Sequence, residues 1–243
     1  MLIVGHRGAR FEAPENTVPG IRYAIDLGLG AVEFDIRMTS DDHLVVIHDA
    51  TVDRTTNGEG DVSSFTLAEI QSFDARSIFP DWPEPCVVPA LAQVLDVVQT
   101  LPELLIEIKG DAPRRLEKIV PATIAEILRR DLVDRVTITS FDPYALGLVQ
   151  REAPRIRRGY IGNCDSQDFL DTAVRLDCTQ IDIRHATADR GLVVKAQSLG
   201  MRVIAWPVNS REDLDSVLAL KSRMFCTDNP TLLMELHSRP RAS

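Results

Sequence analysis

The chain has 243 residues, of which 44% are hydrophobic and 26% are charged, as is typical of a globular protein. This length suits one large α/β domain, since a single α/β barrel takes about 250 residues. The formal net charge of −9 argues against a nucleic-acid-binding surface, because no basic stripe is present to neutralise a polyphosphate backbone. A small anionic substrate remains compatible with this charge if local cations or a metal attract it.

The cysteines and the hydrophobic pattern indicate the cellular location of the protein. The four cysteines are scattered without a C-x-x-C pair, which indicates buried thiols in a reducing compartment. No signal-peptide pattern and no long apolar span is found, and Met1 leads directly into the first predicted strand. We therefore expect a cytoplasmic protein without an integral membrane segment. The sequence leaves the oligomeric state open, a homo-oligomer included.

The first ten residues predict a buried strand that ends in a turn. Residues 2–4 are apolar, and Gly5, His6, Arg7 and Gly8 follow them. The glycines permit a sharp turn, while the histidine and the arginine place a proton carrier and a fixed cation at the end of the strand. The C-terminal ends of buried strands are where α/β proteins commonly keep their chemistry.

The remaining elements follow a regular order apart from one long stretch. Helical spacing over residues 16–27 precedes a strand at 31–37, and the apolar run 44–47 then reaches His48. Residues 49–90 show no regular pattern beyond a short helix near 66–73, which indicates a functional loop or a small insertion. The later predicted strands are 104–109, 135–139, 155–161, 181–183, 201–206 and 224–226, and the helices are 90–98, 114–130, 142–152, 166–176, 189–199, 210–220 and 230–237.

This order predicts a fold. With residues 2–4 and 31–37 as the first two strands, eight strands alternate with eight helices, which implies parallel strands joined by right-handed crossovers. Eight such units that close on themselves form a TIM (β/α)8 barrel, here with a small insertion after the second strand region. An open doubly wound sheet is the alternative, although no glycine-rich dinucleotide loop supports it.

Two predicted strands carry charged residues at alternate positions. Glu33 and Asp35 leave one face of their strand roughly 6–7 Å apart. Glu107 and Lys109 repeat the arrangement on the next barrel strand. Like charges inside a barrel are costly unless a cation binds them, so the three carboxylates predict a site for Mg²⁺ or Ca²⁺. The alternative is an ion-pair network in which Arg7 and Lys109 neutralise the same carboxylates.

Two histidines are candidates for proton transfer. His6 and His48 both follow predicted strands, and in a closed barrel we expect those strand ends to share one rim. Two imidazoles across a bound substrate suit general acid–base catalysis, since one accepts a proton while the other donates one. The sequence does not determine which of them is the acid.

Ten short motifs along the whole chain resemble, in this order, those of the glycerophosphodiester phosphodiesterase family. The set is specific although each motif alone is weak. The chain departs from the family pattern at His43 and Pro207, and the second of these lies at the predicted rim. The motifs are His6-Arg-Gly8, Pro14-Glu-Asn-Thr17, Glu33-x-Asp35, His48-Asp49, Arg54-Thr-Thr56, Val88-Pro-Ala-Leu91, Glu107-Ile-Lys109, Ser140-Phe141, Trp206-x-Val-Asn209 and Thr227-Asp228.

The resemblance implies one TIM-barrel domain over residues 1–243 with a small insertion at about 49–90. It also implies divalent-metal-dependent hydrolysis of small glycerophosphodiesters, such as glycerophosphocholine or glycerophosphoethanolamine, to glycerol 3-phosphate and an alcohol. The implied roles are Glu33, Asp35 and Glu107 for the metal, His6 and His48 for acid and base, Arg7 and Lys109 for phosphoryl oxygens, and Trp206 for packing against the glycerol or the alcohol, with core packing as its alternative.

Two other functions fit the same residues. A phosphodiesterase directed at lysophospholipids would use the apolar residues Phe73, Ile78, Phe79 and Trp82 to contact an acyl chain, although these also suit a small core of the insertion. A catalytically silent barrel that senses phosphodiesters is the other alternative. The paired histidines argue against it, because a binding protein needs no pair of proton carriers.

Overall fold

The computed structural model describes residues 1–162, 164 and 168–238. Nine strands and nine α-helices are assigned among these residues, together with a 3₁₀ turn at Val62–Ser64. The strands are β1 (Leu2–Gly5), β2 (Ala31–Met38), β3 (Leu44–Val46), β4 (Glu103–Ile108), β5 (Val136–Ser140), β6 (Arg157–Gly162), β7 (Gln180–Arg184), β8 (Arg202–Trp206) and β9 (Met224–Thr227). The helices are α1 (Val18–Asp26), α2 (Leu67–Ile70), α3 (Leu91–Val98), α4 (Pro113–Arg129), α5 (Pro143–Glu152), α6 (Phe169–Arg175), α7 (Arg190–Ser198), α8 (Arg211–Ala219) and α9 (Pro230–Ser238).

Eight of the strands close into a parallel barrel, which confirms the predicted TIM (β/α)8 fold. The order around the ring is β1, β9, β8, β7, β6, β5, β4 and β2. The pairing of Gly5 with Val32 joins β1 to β2 and closes it. The helices begin where the sequence predicts within about two residues, except that residues 166 and 167 of the predicted helix 166–176 lie outside the described residues.

The short strand β3 corrects one step of the prediction. It runs antiparallel to β2, with Met38 opposite Leu44 and Ile36 opposite Val46. The chain therefore turns back on itself after β2, and His48 does not lie at the end of a parallel strand. It reaches the rim because the returning chain lies beside the upper half of β2, where the Ile47 amide donates to the Asp35 carbonyl at 3.0 Å.

The buried apolar residues form three clusters. The outward-facing residues of the barrel pack against the surrounding helices, with Phe34, Ile106 and Phe225 fully buried. A smaller cluster fills the barrel interior around Val4, Leu105, Ile204 and Cys226. A third cluster lies under the stretch between β3 and α3. It consists of Val45, Ile47, Val52, Val62, Ile70, Ala75, Cys86 and Val88.

Candidate active site

A cavity of about 190 Å³ opens at the C-terminal ends of the barrel strands. Most of the residues predicted for the site line it, and so do several that the sequence did not single out. The lining residues are His6, Arg7, Arg10, Glu33, His48, Leu105, Glu107, Lys109, Thr139, Phe141, Ile161, Asp182, Ile204, Trp206, Pro207, Cys226 and Asp228.

Three buried carboxylates converge beside this cavity. Asp35 on β2 lies opposite Glu107 on β4 in the strand register, and Glu33 is two residues before Asp35 on the same face. One oxygen from each of the three lies within 4.8 Å of the other two. The described residues offer no hydrogen-bond partner to the buried Oε1 of Glu33. Oxygen ligands at this spacing, one of them unpaired, fit a hard divalent cation.

Two cations lie against the carboxylates. Lys109 Nζ is 2.6 Å from Glu107 Oε1 and 2.7 Å from Asp35 Oδ1. Arg7 Nε is 3.2 Å from Asp35 Oδ2, and the Arg7 backbone amide donates to Glu33 Oε2 at 3.0 Å. Arg7 has a positive φ of 51°, a conformation that costs energy for a residue with a side chain. Here the turn aims both the amide and the guanidinium of one residue at the acidic cluster.

The carboxylates differ in their affinity for protons. Burial and the neighbouring acids raise the pKa of Glu33 well above its usual value. Burial and Asp35 together raise the pKa of Glu107 to about 7, although Lys109 opposes the shift. Burial also acts on Asp35, but Lys109 and Arg7 outweigh it and lower the pKa of that carboxyl. Three acids and two fixed cations therefore leave the cluster short of positive charge, which is the condition that favours a bound metal.

Both predicted histidines line the cavity, and each is held by an aspartate. His6 Nδ1 lies 2.5 Å from Asp228 Oδ1, and His48 Nδ1 lies 2.6 Å from Asp49 Oδ1. A carboxylate on Nδ1 fixes the orientation of an imidazole and leaves Nε2 for the substrate. His6 Nε2 points to the acidic cluster, 3.8 Å from Glu33 Oε2.

The sequence did not reveal the roles of several supporting residues, Asp49 and Glu15 among them. Asn209 Nδ2 donates to Asp228 Oδ2 at 2.7 Å and so fixes the aspartate that holds His6. Buried Glu15 accepts from Arg7 at 2.8 Å and from Arg54 at 2.8 Å. Sequence motifs placed these residues near the chemistry. Partners such as Arg7 and Glu15, which are 8 positions apart, or His6 and Asp228, which are 222 positions apart, are visible only in the fold.

Trp206 lies at the rim, at the end of β8. Its ring meets Phe141 edge to face, with centroids 6.1 Å apart at 88°. Its buried Nε1 has no hydrogen-bond partner among the described residues. Trp206 therefore belongs to the cavity wall as well as to the interior cluster of the barrel.

The apolar residues of the stretch before α3 lie apart from the cavity. Phe73 and Trp82 pack against the third cluster, and the Trp82 ring also meets Tyr23 at 5.9 Å. Ile78 is 46% exposed. None of Phe73, Ile78, Phe79 or Trp82 lines the cavity at the barrel rim.

Comparisons with known proteins agree with the fold. The model of the glycerophosphoryl diester phosphodiesterase family matches residues 6–232. A glycerophosphodiester phosphodiesterase of Caldanaerobacter subterraneus subsp. tengcongensis is 34% identical over 239 residues, which are 97% of each chain. A glycerophosphodiester phosphodiesterase structure from Agrobacterium tumefaciens superposes with a TM-score of 0.82 at 26% identity, covering 97% of this chain and 99% of that one.

A further solved structure has the same fold. An Oleispira antarctica phosphodiesterase, solved in complex with the product sn-glycerol-3-phosphate, superposes with a TM-score of 0.90 at 23% identity, covering 98% of this chain and 97% of that one. The family match and the 34% identical relative define a phosphodiesterase class of enzyme. The chain belongs to the glycerophosphoryl diester phosphodiesterase family. Among the described residues, no helix has the length and apolar character needed to cross a membrane.

Proposed function

We propose that this enzyme hydrolyses small glycerophosphodiesters, such as glycerophosphocholine or glycerophosphoethanolamine, to glycerol 3-phosphate and the free alcohol. One observation carries the proposal: two aspartate-held imidazoles and a buried acidic cluster with two cations line one cavity at the rim. The whole chain acts as one domain in this proposal, with residues 49–90 as its insertion. Phe73 and Trp82 of that insertion pack against its own apolar cluster, and neither they nor Ile78 and Phe79 line the cavity, so a lysophospholipid substrate is not favoured.

Glu33, Asp35 and Glu107 would hold a divalent metal ion, either Mg²⁺ or Ca²⁺, because both accept several carboxylate oxygens together with waters. A bound ion would withdraw charge from the phosphodiester and so assist attack at phosphorus. The fit rests on the spacing of the three oxygens and on the unpaired Glu33 Oε1.

Arg7 and Lys109 hold phosphoryl oxygens in this proposal. Both side chains are nearly buried and already carry full positive charge beside the cluster, where burial is outweighed by the acids and the pKa of each is raised. Fixed cations in a partly dry cavity stabilise the charge that develops on the phosphoryl oxygens during attack. Trp206 packs against the carbon skeleton of the glycerol or of the alcohol.

His48 acts as the base and His6 as the acid. Burial lowers the pKa of His48, with Lys109 and Arg7 acting in the same direction, and Asp35 and Asp49 oppose the shift without reversing it. His48 is therefore neutral near pH 7 and able to accept a proton at Nε2. His6, held by Asp228, is left to protonate the departing alcohol.

The glycerol 2-hydroxyl is the nucleophile, and its attack is intramolecular. Its proton passes to His48 while its oxygen bonds to phosphorus, the bond from phosphorus to the headgroup oxygen breaks, and His6 donates a proton to that oxygen. Water then opens the cyclic phosphate, with His6 accepting its proton and His48 returning one to the 2-oxygen. An attacking group held next to phosphorus gains a large effective concentration.

Release of glycerol 3-phosphate from glycerophosphocholine tests the proposal. We expect release with Mg²⁺ or Ca²⁺ and its loss on adding EDTA. His6→Ala and His48→Ala should each lower kcat by roughly a hundredfold or more while metal binding, measured by calorimetry, is retained. Wild-type activity in either variant would refute the acid–base roles. Turnover of lysophospholipids but not of glycerophosphodiesters would favour the lipid-directed alternative.

A further inference from the structure

Asp182 is a buried acid in the cavity that the proposed mechanism does not use. It lies on β7, the strand four places around the ring from β2 and so opposite the acidic cluster. Its residue is 5% exposed, and it lines the cavity. A charged residue type is rarely this buried without a partner for each oxygen. Among the described residues, only one of the two carboxylate oxygens of Asp182, Oδ1, receives a hydrogen bond.

The partner of that one oxygen is itself fixed. Gln180 Nε2 donates to Asp182 Oδ1 at 2.8 Å. Gln180 Oε1 accepts from Arg202 at 2.8 Å, and the Arg202 guanidinium is held by both oxygens of Glu103 at 3.0 Å. This chain of contacts sets the direction of the Gln180 amide and therefore the orientation of Asp182. Oδ2 receives no hydrogen bond from the described residues.

The surroundings of Asp182 are apolar. In the strand register its neighbours are Ile161 on β6 and Ile204 on β8, both of which line the cavity. An oriented acid between two isoleucines is the polar element of an otherwise apolar wall. Ligand cavities use such isolated polar groups to fix the orientation and identity of what they bind.

A second polar group without a hydrogen-bond partner lines the cavity between this wall and the acidic cluster. The Thr139 hydroxyl on β5 is fully buried, lines the cavity and forms no hydrogen bond with the described residues. Thr139 is opposite Glu107 in the register, so it lies between the acidic cluster and the wall of Asp182. Glu107, Thr139 and Asp182 thus form a line of polar groups from the acidic cluster to the opposite side of the cavity.

We propose that Asp182 is a specificity-determining residue that hydrogen-bonds the terminal hydroxyl of the substrate's glycerol moiety. The inference rests on the proposed function. The 2-hydroxyl must lie at His48 beside phosphorus, so the terminal carbon extends away from the cluster toward the opposite wall. The headgroup, which departs as the alcohol, faces the open rim.

The protonation of Asp182 favours a hydroxyl over an ammonium group as its ligand. Burial raises the pKa of Asp182 to about 7, with Glu107 adding to the shift and Gln180 opposing it. A hydroxyl forms a hydrogen bond with the carboxylate and with the neutral acid alike. An ammonium group forms an ion pair only with the carboxylate, which burial and Glu107 disfavour.

The test compares two substrates on each enzyme variant. Glycerophosphocholine is measured against the phosphocholine ester of propane-1,2-diol, which lacks only the terminal hydroxyl. We expect the wild type to prefer the former in kcat/KM by roughly ten- to a hundredfold, the range for one hydrogen bond to a buried acid. Asp182→Leu should abolish the preference and Asp182→Asn should keep part of it. The ratio cancels any difference in the amount of folded enzyme.

The matched control is Asp134→Asn, an exposed position outside the cavity, which should keep the wild-type ratio. An unchanged ratio in Asp182→Leu would refute the proposal and indicate a structural role. Binding of glycerol 3-phosphate and of propane-1,2-diol 1-phosphate, measured by calorimetry, provides a readout that does not need turnover. Equal binding of the two by the wild type would overturn the inference, whereas a wild type that binds selectively but cleaves neither diester would overturn the proposed function instead.

Discussion

At the scale of single residues, the site depends on how each imidazole is held. His6 and His48 face the same cavity, yet their aspartates come from different parts of the chain. Asp49 directly follows His48, whereas Asp228 comes from the end of the last barrel strand. The histidines were predicted from their place after apolar runs. The aspartates were not assigned to them, because an aspartate after a strand is equally typical of a turn, where its side chain hydrogen-bonds to the backbone.

The Asp49 contact gives a pH-dependent prediction. A base must be unprotonated, so kcat/KM should fall as the pH decreases through the pKa of His48, which lies below 6.5 because burial lowers it. Asp49 raises that pKa. In Asp49→Asn we therefore expect the acidic limb of the profile to move to lower pH, together with a roughly tenfold loss of kcat from poorer orientation of the ring.

Other charged groups also shift the pKa of His48 and therefore the position of the acidic limb. Asp35 raises its pKa, and Lys109 and Arg7 lower it, and none of these changes in Asp49→Asn. Asp53→Asn, at an exposed position four residues further on, is the control and should leave the acidic limb in place. If the limb of Asp49→Asn moves to higher pH, His48 is not the base.

At the scale of elements, the hairpin of β2 and β3 is the least regular part of the barrel. Strand β3 occupies the edge of β2 above the point where β1 ends, and it returns the chain toward the rim. Val45 and Ile47 on this segment pack into the third cluster. The position of His48 therefore depends on the insertion as well as on the barrel.

A core substitution in the insertion tests this dependence. Ile70 on α2 is fully buried in the third cluster, so Ile70→Ala should lower the free energy of unfolding by roughly 3 kcal/mol. Because that cluster also supports the chain leading to His48, we expect kcat to fall as well. Denaturant titration and turnover measure the two effects.

Leu128→Ala supplies the comparison, since Leu128 is 56% exposed on α4. It should change stability by no more than about 0.5 kcal/mol and leave kcat unaltered. Full activity in Ile70→Ala, with the expected loss of stability, would show that the insertion folds without influence on His48.

At the scale of the whole molecule, most of the fold was predictable and part of the site was not. Apolar runs and helix starts repeat regularly after residue 90, so the six barrel strands beyond that point follow from periodicity alone. Strand β3 has the same apolar composition as a barrel strand, and only pairing with β2 reveals its direction. Asp182 was not predicted as a site residue for a related reason. It lies between Ile181 and Ile183 in the sequence, and this alternation is typical of any half-buried strand.

A bound metal should stabilise the whole barrel. The carboxylates come from β2 and β4, and an ion that binds only the folded state adds about 2.7 kcal/mol at a concentration one hundred times its Kd. We expect Mg²⁺ or Ca²⁺ to raise Tm in a thermal unfolding scan and EDTA to lower it. Glu107→Gln should reduce the shift, and Glu59→Gln, at an exposed position, should retain it. Absence of a shift with both ions would favour the ion-pair network with Lys109 and Arg7.

The closure of the ring has a consequence for how the protein is made. Strand β1 pairs with β9 at four register positions and with β2 at one, and His6 receives its aspartate from a residue 222 positions later. During synthesis on the ribosome, the His6 imidazole is oriented only after nearly all of the remaining chain, up to Asp228, has been made. In the proposed mechanism, an interrupted translation product that stops before Asp228 lacks the carboxylate that orients the acid, so we expect hydrolysis only when synthesis of the barrel is finished.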